Sequence, residues 1–178
     1  DDPRAATLEA IKIARANGAL ISCDPNLRLP LWPSAEKARE ILRLAISQAD
    51  IVKMSDEEIT FVSGKDDLEE GIKDLWCDQW RALIVTYGPK GSRFITPKFD
   101  GFVPSFEITA VDATGAGDGC TAGFLSRLLK DPDILASEEK LASACRFANA
   151  VGAITATKRG AINALPTEKE VEEFLSTR

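Results

Sequence analysis

The sequence predicts an α/β layered domain with a largely parallel sheet, and three observations carry that expectation. Short apolar runs of strand length alternate with stretches whose apolar residues recur at helical spacing. Several of the helical stretches open on a capping Ser or Thr, and few long loops separate the elements. With 178 residues and 44% apolar side chains, the chain fits one domain with a substantial core.

Taken in order, Leu8, Ile11, Ile13, Ala14 and Ala16 mark a first helix that Asn17-Gly18 ends, because both residues tolerate the left-handed backbone of a helix C-terminus. Ala19 to Cys23 reads as a buried strand, followed by the loop Asp24-Pro-Asn-Leu-Arg-Leu-Pro-Leu-Trp-Pro33. Ser34 caps a second helix running to about Gln48, with Ile41, Leu42, Ala45 and Ile46 inward. Asp50 to Met54 is a short strand, and Ser55-Asp-Glu-Glu58 opens another helix as a capping box. A polar, acidic segment then leads through a helix ending near Trp80. Ala82 to Tyr87 is the most apolar strand, and Ser92 to Thr96 is its neighbour across the turn Gly88-Pro-Lys-Gly91. Phe102-Val103 and Glu107-Ile108 read as shorter strands. Beyond a central helix, Glu138 to about Thr157 reads as a long helix that turns Leu141, Ala144, Cys145, Ala148, Val151 and Ile154 inward. Lys158 to Pro166 is a loop, and Thr167 caps a terminal helix.

Bulk properties narrow the function. The net charge of −6 and the absence of a long basic cluster argue against nucleic acid or an anionic membrane as main partner. No apolar run approaches the ~18 residues of a membrane span, and no signal peptide is visible. The four cysteines are scattered without a CxxC pair or metal-ligand spacing, so reduced thiols in the cytoplasm are expected. Histidine is absent, which removes Ser-His-Asp, Cys-His and His-metal chemistry together. Any general base is then a carboxylate, Lys or Tyr. The chain begins at Asp1 without Met and enters a helical pattern almost at once, so it reads as a piece of a longer protein.

The chain is organised around Val111-Asp-Ala-Thr-Gly-Ala-Gly-Asp118. Gly115 and Gly117 give a tight turn room for positive φ, and apolar residues at 120, 124, 125, 128 and 129 follow at helical spacing. A glycine turn that opens a helix gathers unpaired N–H groups at the positive end of the helix dipole, which makes an anion site. Asp118 in the first helical turn then suits phosphoryl transfer, with the amides holding a phosphate while the carboxylate takes a proton from an attacking hydroxyl. The plainer alternative is that Asp118 favours a helix start and the glycines turn the chain. The common nucleotide fingerprints fail: position 120 is Cys, so no GxGxxG forms, and no GxxxxGK[ST] occurs. Strand ends carry ligand sites in sheets of this class, and Asp24-Pro-Asn26, Ser55 to Glu58, Thr86-Tyr-Gly88 and the central turn all follow predicted strands.

The ordered set Asp24-Pro-Asn-Leu-Arg28, Lys53-Met-Ser-Asp-Glu-Glu58, Val85-Thr-Tyr-Gly-Pro-Lys-Gly91, Val111 to Asp118 and Thr157-Lys-Arg-Gly-Ala161 resembles the PfkB (ribokinase-like) carbohydrate kinases, and within them the fructokinases. The resemblance covers nearly the whole chain. It implies a ribokinase-like three-layer αβα, Rossmann-like fold with a mostly parallel central sheet, ATP-dependent phosphorylation of a sugar such as fructose, and Mg2+. On it, Asp118 is similar to the base that deprotonates the sugar's primary hydroxyl. The amides of Gly115, Ala116 and Gly117 resemble its anion hole. Thr86, Gly88 and Gly91 look like the segment lining the nucleotide phosphates. Asn149, Gly152 and Ala153 resemble the adenine pocket wall, although small residues there serve close helix packing equally well. Glu58 matches the Glu of the family's NxxE motif, tied to Mg2+ through water, with Ser55 standing where the motif has Asn. Arg28 would face sugar or phosphate, its alternative being an ion pair with Asp24. Asp112, Thr114, Thr155, Lys158 and Gly160 fall where family members bind K+.

The family's amino-terminal half supplies most sugar contacts and the β-sheet lid through which many members form homodimers. Residues 1–178 resemble the carboxyl-terminal, nucleotide-binding and catalytic part. A kinase of another sugar (ribose, 2-keto-3-deoxygluconate) and a catalytically silent kinase-like scaffold stay open as alternatives, while a nicotinamide-binding domain is weakened by the missing GxGxxG.

Overall fold

Residues 3–178 are described in the computed structural model, and their contacts gather into two units, Asp1–Ile84 and Val85–Arg178. In the first unit, α1 (Pro3–Ala16) stops at Gly18, whose φ of 77° supplies the left-handed turn expected there. None of the residues of α1 is buried. The next strand is shorter than expected: β1 is Ser22–Cys23, and Ala19 and Leu20 are exposed. The reason is local. Ile21 spends its amide on the Asp50 carboxylate (2.8 Å) and its carbonyl on the amides of Asp50 and Ile51 (2.8 and 3.1 Å), so the ladder begins one residue later.

Ser34 caps α2 (Ala35–Ser47) by accepting the Lys37 amide, and Ala38, Leu42 and Ile46 form its buried stripe. β2 (Ile51–Ser55) pairs with β1 in parallel, Ser22 opposite Ile51 and Cys23 opposite Val52. The capping box at Ser55 and Glu58 starts α3 (Asp56–Ser63), and Asp67 caps α4 (Leu68–Leu75). That last helix ends at Leu75, short of the predicted stop near Trp80. Trp80 is instead fully buried, donating its indole N–H to the Ile46 carbonyl at 2.8 Å, and it meets Trp76 edge-on with centroids 5.7 Å apart. Asp50, only 6% exposed, organises this region: it accepts from Ile21 N and Gln79 Nε2 and lies 3.6 Å from Arg15. Its carbonyl takes the amides of Arg81 and Ala82 at 2.7 and 3.3 Å, which sets β3 (Ala82–Thr86) next to β2.

The last residues of β3 belong to the second unit, where β4 (Gly91–Ile95) and β5 (Asp100–Pro104) follow in order. A short 3-10 turn, Gly88–Lys90, joins β3 to β4, with the Tyr87 amide donating to the Gly91 carbonyl. β4 and β5 are antiparallel, Arg93 opposite Phe102, so the sheet is mixed. Antiparallel pairing follows from the four-residue turn between them, in which Thr96 Oγ1 accepts the Lys98 and Phe99 amides. Arg93 clasps Asp100 through two bonds of 2.7 Å.

Glu107-Ile108 is not a strand. Ser105 to Ala110 run as coil: the Ser105 amide still donates to the Lys90 carbonyl at 3.2 Å, and beyond it Phe106 turns into the core against Phe147, Val151 and Val171. The helices α5 (Ala116–Lys130), α6 (Glu138–Ala156) and α7 (Glu168–Ser176) complete the unit. α5 and α6 approach closely at Gly123, where a Cβ would lie 2.9 Å from a Val151 methyl. The six residues read as the inner face of α6 are all buried, whereas Leu129 at the end of α5 is 84% exposed. Among the described residues no helix is long and apolar enough to cross a membrane.

Candidate functional site

Gly115 sits at φ 80°, ψ −3°, at the N-cap of α5, and no side chain caps the helix. A Cβ at this position would meet the Cα and the Cβ of Ala161 at 3.0 Å, so conformation and space both require glycine. Among the described residues the amides of Gly115, Gly117 and Asp118 meet no protein acceptor, while Ala116 N is turned to the Ala113 carbonyl at 3.1 Å. Two of the three predicted anion-hole donors are thus available at the positive end of a 15-residue helix. Asp118 stands exposed in the first turn of the same helix.

Asp112 anchors this turn to the loop after α6. One carboxylate oxygen accepts the Thr114 amide at 2.9 Å and the other the Gly160 amide at 3.0 Å. Hydrogen bonds from the Thr114 side chain, then from the Gly160 and Thr114 backbones, hold the Asp112 carboxyl at about 2. The amides of Val111 and Asp112 both donate to the Ala156 carbonyl. Of the residues expected around K+, the fold therefore brings Asp112, Thr114 and Gly160 together. Thr155 is fully buried with its hydroxyl on the Val151 carbonyl, and the Lys158 ammonium lies 3.5 Å from Glu170 of α7.

The predicted nucleotide residues of the second unit converge, whereas Ser55 lies in the first unit. Thr86, Gly88, Gly91, Asn149, Gly152 and Ala153 line one cavity of about 650 Å³ within the second unit, together with Ala116 and Gly117. Asn149 is 6% exposed, and its amide nitrogen donates to the carbonyls of Val103 and Pro104 at 3.1 and 3.4 Å, which ties α6 to the end of β5. Gly152 serves both readings given to it: it lines the cavity, and a Cβ there would lie 3.1 Å from the Ala116 carbonyl. Sequence reasoning missed Phe106, Ile108 and Ala110, which wall the cavity from the coil after β5. A strand reading of that segment hid them.

Arg28, Ser55 and Glu58 belong to the first unit. The Glu58 oxygens accept the amides of Leu27 (2.8 Å) and Ser55 (2.9 Å), and Ser55 Oγ accepts the Glu58 amide at 3.1 Å. Arg28 does not pair with Asp24. Lys53 takes that partner at 3.2 Å in a largely buried pair, while Arg28 folds back on the carbonyls of Leu27 and Asn26 at 2.9 and 3.3 Å. Asn26 accommodates the fold-back with φ 45°, which its side chain tolerates better than most. Burial, with the Asp24 and Glu58 charges behind it, pushes the neighbouring Cys23 thiol up to about 11.

Among the described residues no three Cys, Asp or Glu side chains gather to hold a metal ion. Each Glu58 oxygen keeps one lone pair beyond its amide bond. That donor set fits a hydrated cation carried on phosphate oxygens, not a carboxylate cage.

Comparison with known proteins adds an independent line. The sequence profile of the pfkB family carbohydrate kinases matches residues 1–168. "Fructokinase-1" of Zea mays is 47% identical over 173 residues, 97% of this chain and 54% of that protein. The fructokinase of Xylella fastidiosa, solved with bound ATP, superposes with a TM-score of 0.91 at 32% identity over 99% of this chain and 57% of its own. A double mutant of the Vibrio cholerae O395 fructokinase, solved with fructose, ADP and potassium ion, gives 0.90 at 34% identity over 97% and 55%. The fold is the three-layer αβα arrangement of these structures. The chain spans about half the length of the curated relatives it matches.

Proposed function

Because the chain belongs to the pfkB family of carbohydrate kinases, we propose that the protein containing it transfers the γ-phosphoryl group of ATP to D-fructose, giving D-fructose 6-phosphate and ADP. The observation that carries this reading is the start of α5: amides of Gly115 and Gly117 that meet no protein acceptor among the described residues, with Asp118 in the same turn, beside a cavity that Ala116 and Gly117 help to line. Likeness to plant and bacterial fructokinases supports the choice of sugar.

Asp118 acts as the base. It accepts the proton of the primary hydroxyl as that oxygen attacks phosphorus, and the bond to the β-phosphate oxygen breaks in line. The amides of Gly115 and Gly117, with Ala116 between them, face the charge on the transferring group and need no reorganisation to do so. Thr86, Gly88 and Gly91 line the phosphates, and Asn149, Gly152 and Ala153 form the base pocket. Arg28 supplies a guanidinium to an anionic or hydroxyl-bearing substrate group. Glu58 would hold Mg2+ through water, and the ion would supply positive charge against the phosphate oxygens. The loops that Asp112 joins, with Thr114 and Gly160, would hold K+, a reading supported by the potassium ion bound to the V. cholerae relative.

A sugar panel on the whole protein with Mg-ATP tests this reading, with ADP and sugar phosphate both quantified. Fructose should turn over far better than ribose or 2-keto-3-deoxygluconate. A preference for either of the others would change the substrate, and binding of ATP with no turnover of any sugar would favour a silent scaffold.

A further inference from the structure

Behind the cavity stands a column of four side chains that belongs to none of the sequence motifs. Phe106 lies in the coil Ser105–Ala110, and Ser105, Phe106, Glu107, Ile108 and Ala110 of that coil line the cavity. The Ser105 amide donates to the Lys90 carbonyl at 3.2 Å, but among the described residues 106–110 make no backbone–backbone hydrogen bond, so packing from behind fixes their place. Phe106 is 8% exposed and meets Phe174 of α7 edge-to-face, with centroids 5.1 Å apart and planes at 72°. A cation closes each end: the Arg146 guanidinium lies 4.8 Å from the Phe106 ring centroid, and that of Arg178 4.5 Å from the Phe174 centroid. Hydrogen bonds tie the same groups through the backbone. Arg178 Nη1 donates to the Glu107 carbonyl at 2.8 Å, and Arg146 Nη2 donates to the Arg178 carbonyl at 3.1 Å. Three elements, the coil, α6 and α7, are thereby locked around one wall of the cavity.

We propose that this column sets the position of the 105–110 wall and with it the affinity for nucleotide, which makes Phe174 and Arg146 positioning residues. The inference rests on the cavity being the nucleotide pocket. Its physics is that of a close-packed interior: with the Phe174 ring removed, Phe106 relaxes into the vacated space and draws the wall back from the ligand. Neither Phe174 nor Arg146 is among the cavity-lining residues, so any effect on binding passes through Phe106 and Glu107.

The test uses the whole protein, with ATP affinity measured by calorimetry and steady-state constants measured for ATP and fructose. Phe174→Ala should raise the ATP Kd and KM about tenfold while kcat and the fructose KM stay within twofold. Phe174→Tyr, which keeps the ring, should restore ATP binding to within twofold of the parent. Arg146→Gln keeps the aromatic pair and removes one cation; it should raise the ATP Kd about threefold, and it carries the test if Phe174→Ala does not fold. An unchanged ATP Kd in the folded variants would overturn the column's role while leaving the kinase reading intact. A uniform loss, with kcat and both KM values affected alike, would also overturn it, since that is mere destabilisation. A parent protein that binds no ATP would overturn both readings together.

Discussion

Glu58 accepts the amide hydrogen of Leu27 at 2.8 Å across 31 residues of chain, while its other oxygen holds the Ser55 amide at 2.9 Å. The carboxylate at the metal-linked motif position is therefore also the clasp between the start of α3 and the loop that carries Arg28. Arg28 follows Leu27 directly and lies on that loop's own carbonyls, so its direction depends on the clasp. Glu58→Gln places an NH2 group against one of two N–H donors. Hydrogen bonds to a charged acceptor contribute about 1.5–3 kcal/mol. Exchange of the Leu27 amide should then accelerate by roughly tenfold or more, since about 1.4 kcal/mol corresponds to a factor of ten. Excess Mg2+ should not restore protection, and unchanged Leu27 exchange would contradict the clasp.

Gly115→Ala tests the turn itself. The left-handed backbone costs a non-glycine residue about 1–2 kcal/mol, and the added methyl meets Ala161 at 3.0 Å. Denaturant unfolding should register a loss of about 2 kcal/mol or more. Stability equal to the parent's would mean that the turn accommodates a side chain and that glycine is not demanded there.

Asp112 predicts a pH dependence. Its carboxyl is held at about 2 in the folded chain against an ordinary 3.8. Between these values the unfolded chain binds more protons than the folded one, so stability rises with pH there. The contribution is complete above about pH 4 and is lost as the pH falls toward 2. Asp112→Asn removes it, so the stability gap between parent and variant should narrow on acidification through that window. A gap that stayed constant from pH 5 to pH 2 would contradict the assignment.

Helices with a cap at one end and a periodic stripe between were legible in the sequence. Ser34, Ser55 and Thr167 cap where expected, and Gly115 opens α5 in the conformation its residue type implies. What the sequence hid was decided by tertiary partners. Ala19 to Cys23 carries a strand's composition, yet the buried Asp50 carboxylate takes the Ile21 amide and shortens β1. Glu107-Ile108 alternates like a strand, yet the burial of Phe106 holds that segment as coil. The same contrast runs through the site. Gly115 and Asp118 are local features of a helix start and could be read directly, whereas Gly117 lies within α5 and does not take the positive φ expected of it, because the helix already begins at Ala116. The Leu27–Glu58 bond and the Phe106–Phe174 pair join residues 31 and 68 apart, and no local pattern announces either.

The most direct test is Asp118→Asn in the whole protein, with ATP affinity and fructose-dependent ADP release measured on the same preparation. The account predicts an ATP Kd within about twofold of the parent and turnover lower by roughly 10²–10⁴-fold, the range expected for loss of a positioned base. Turnover within tenfold of the parent, with ATP still bound, would remove Asp118 from the proton transfer and contradict the mechanism.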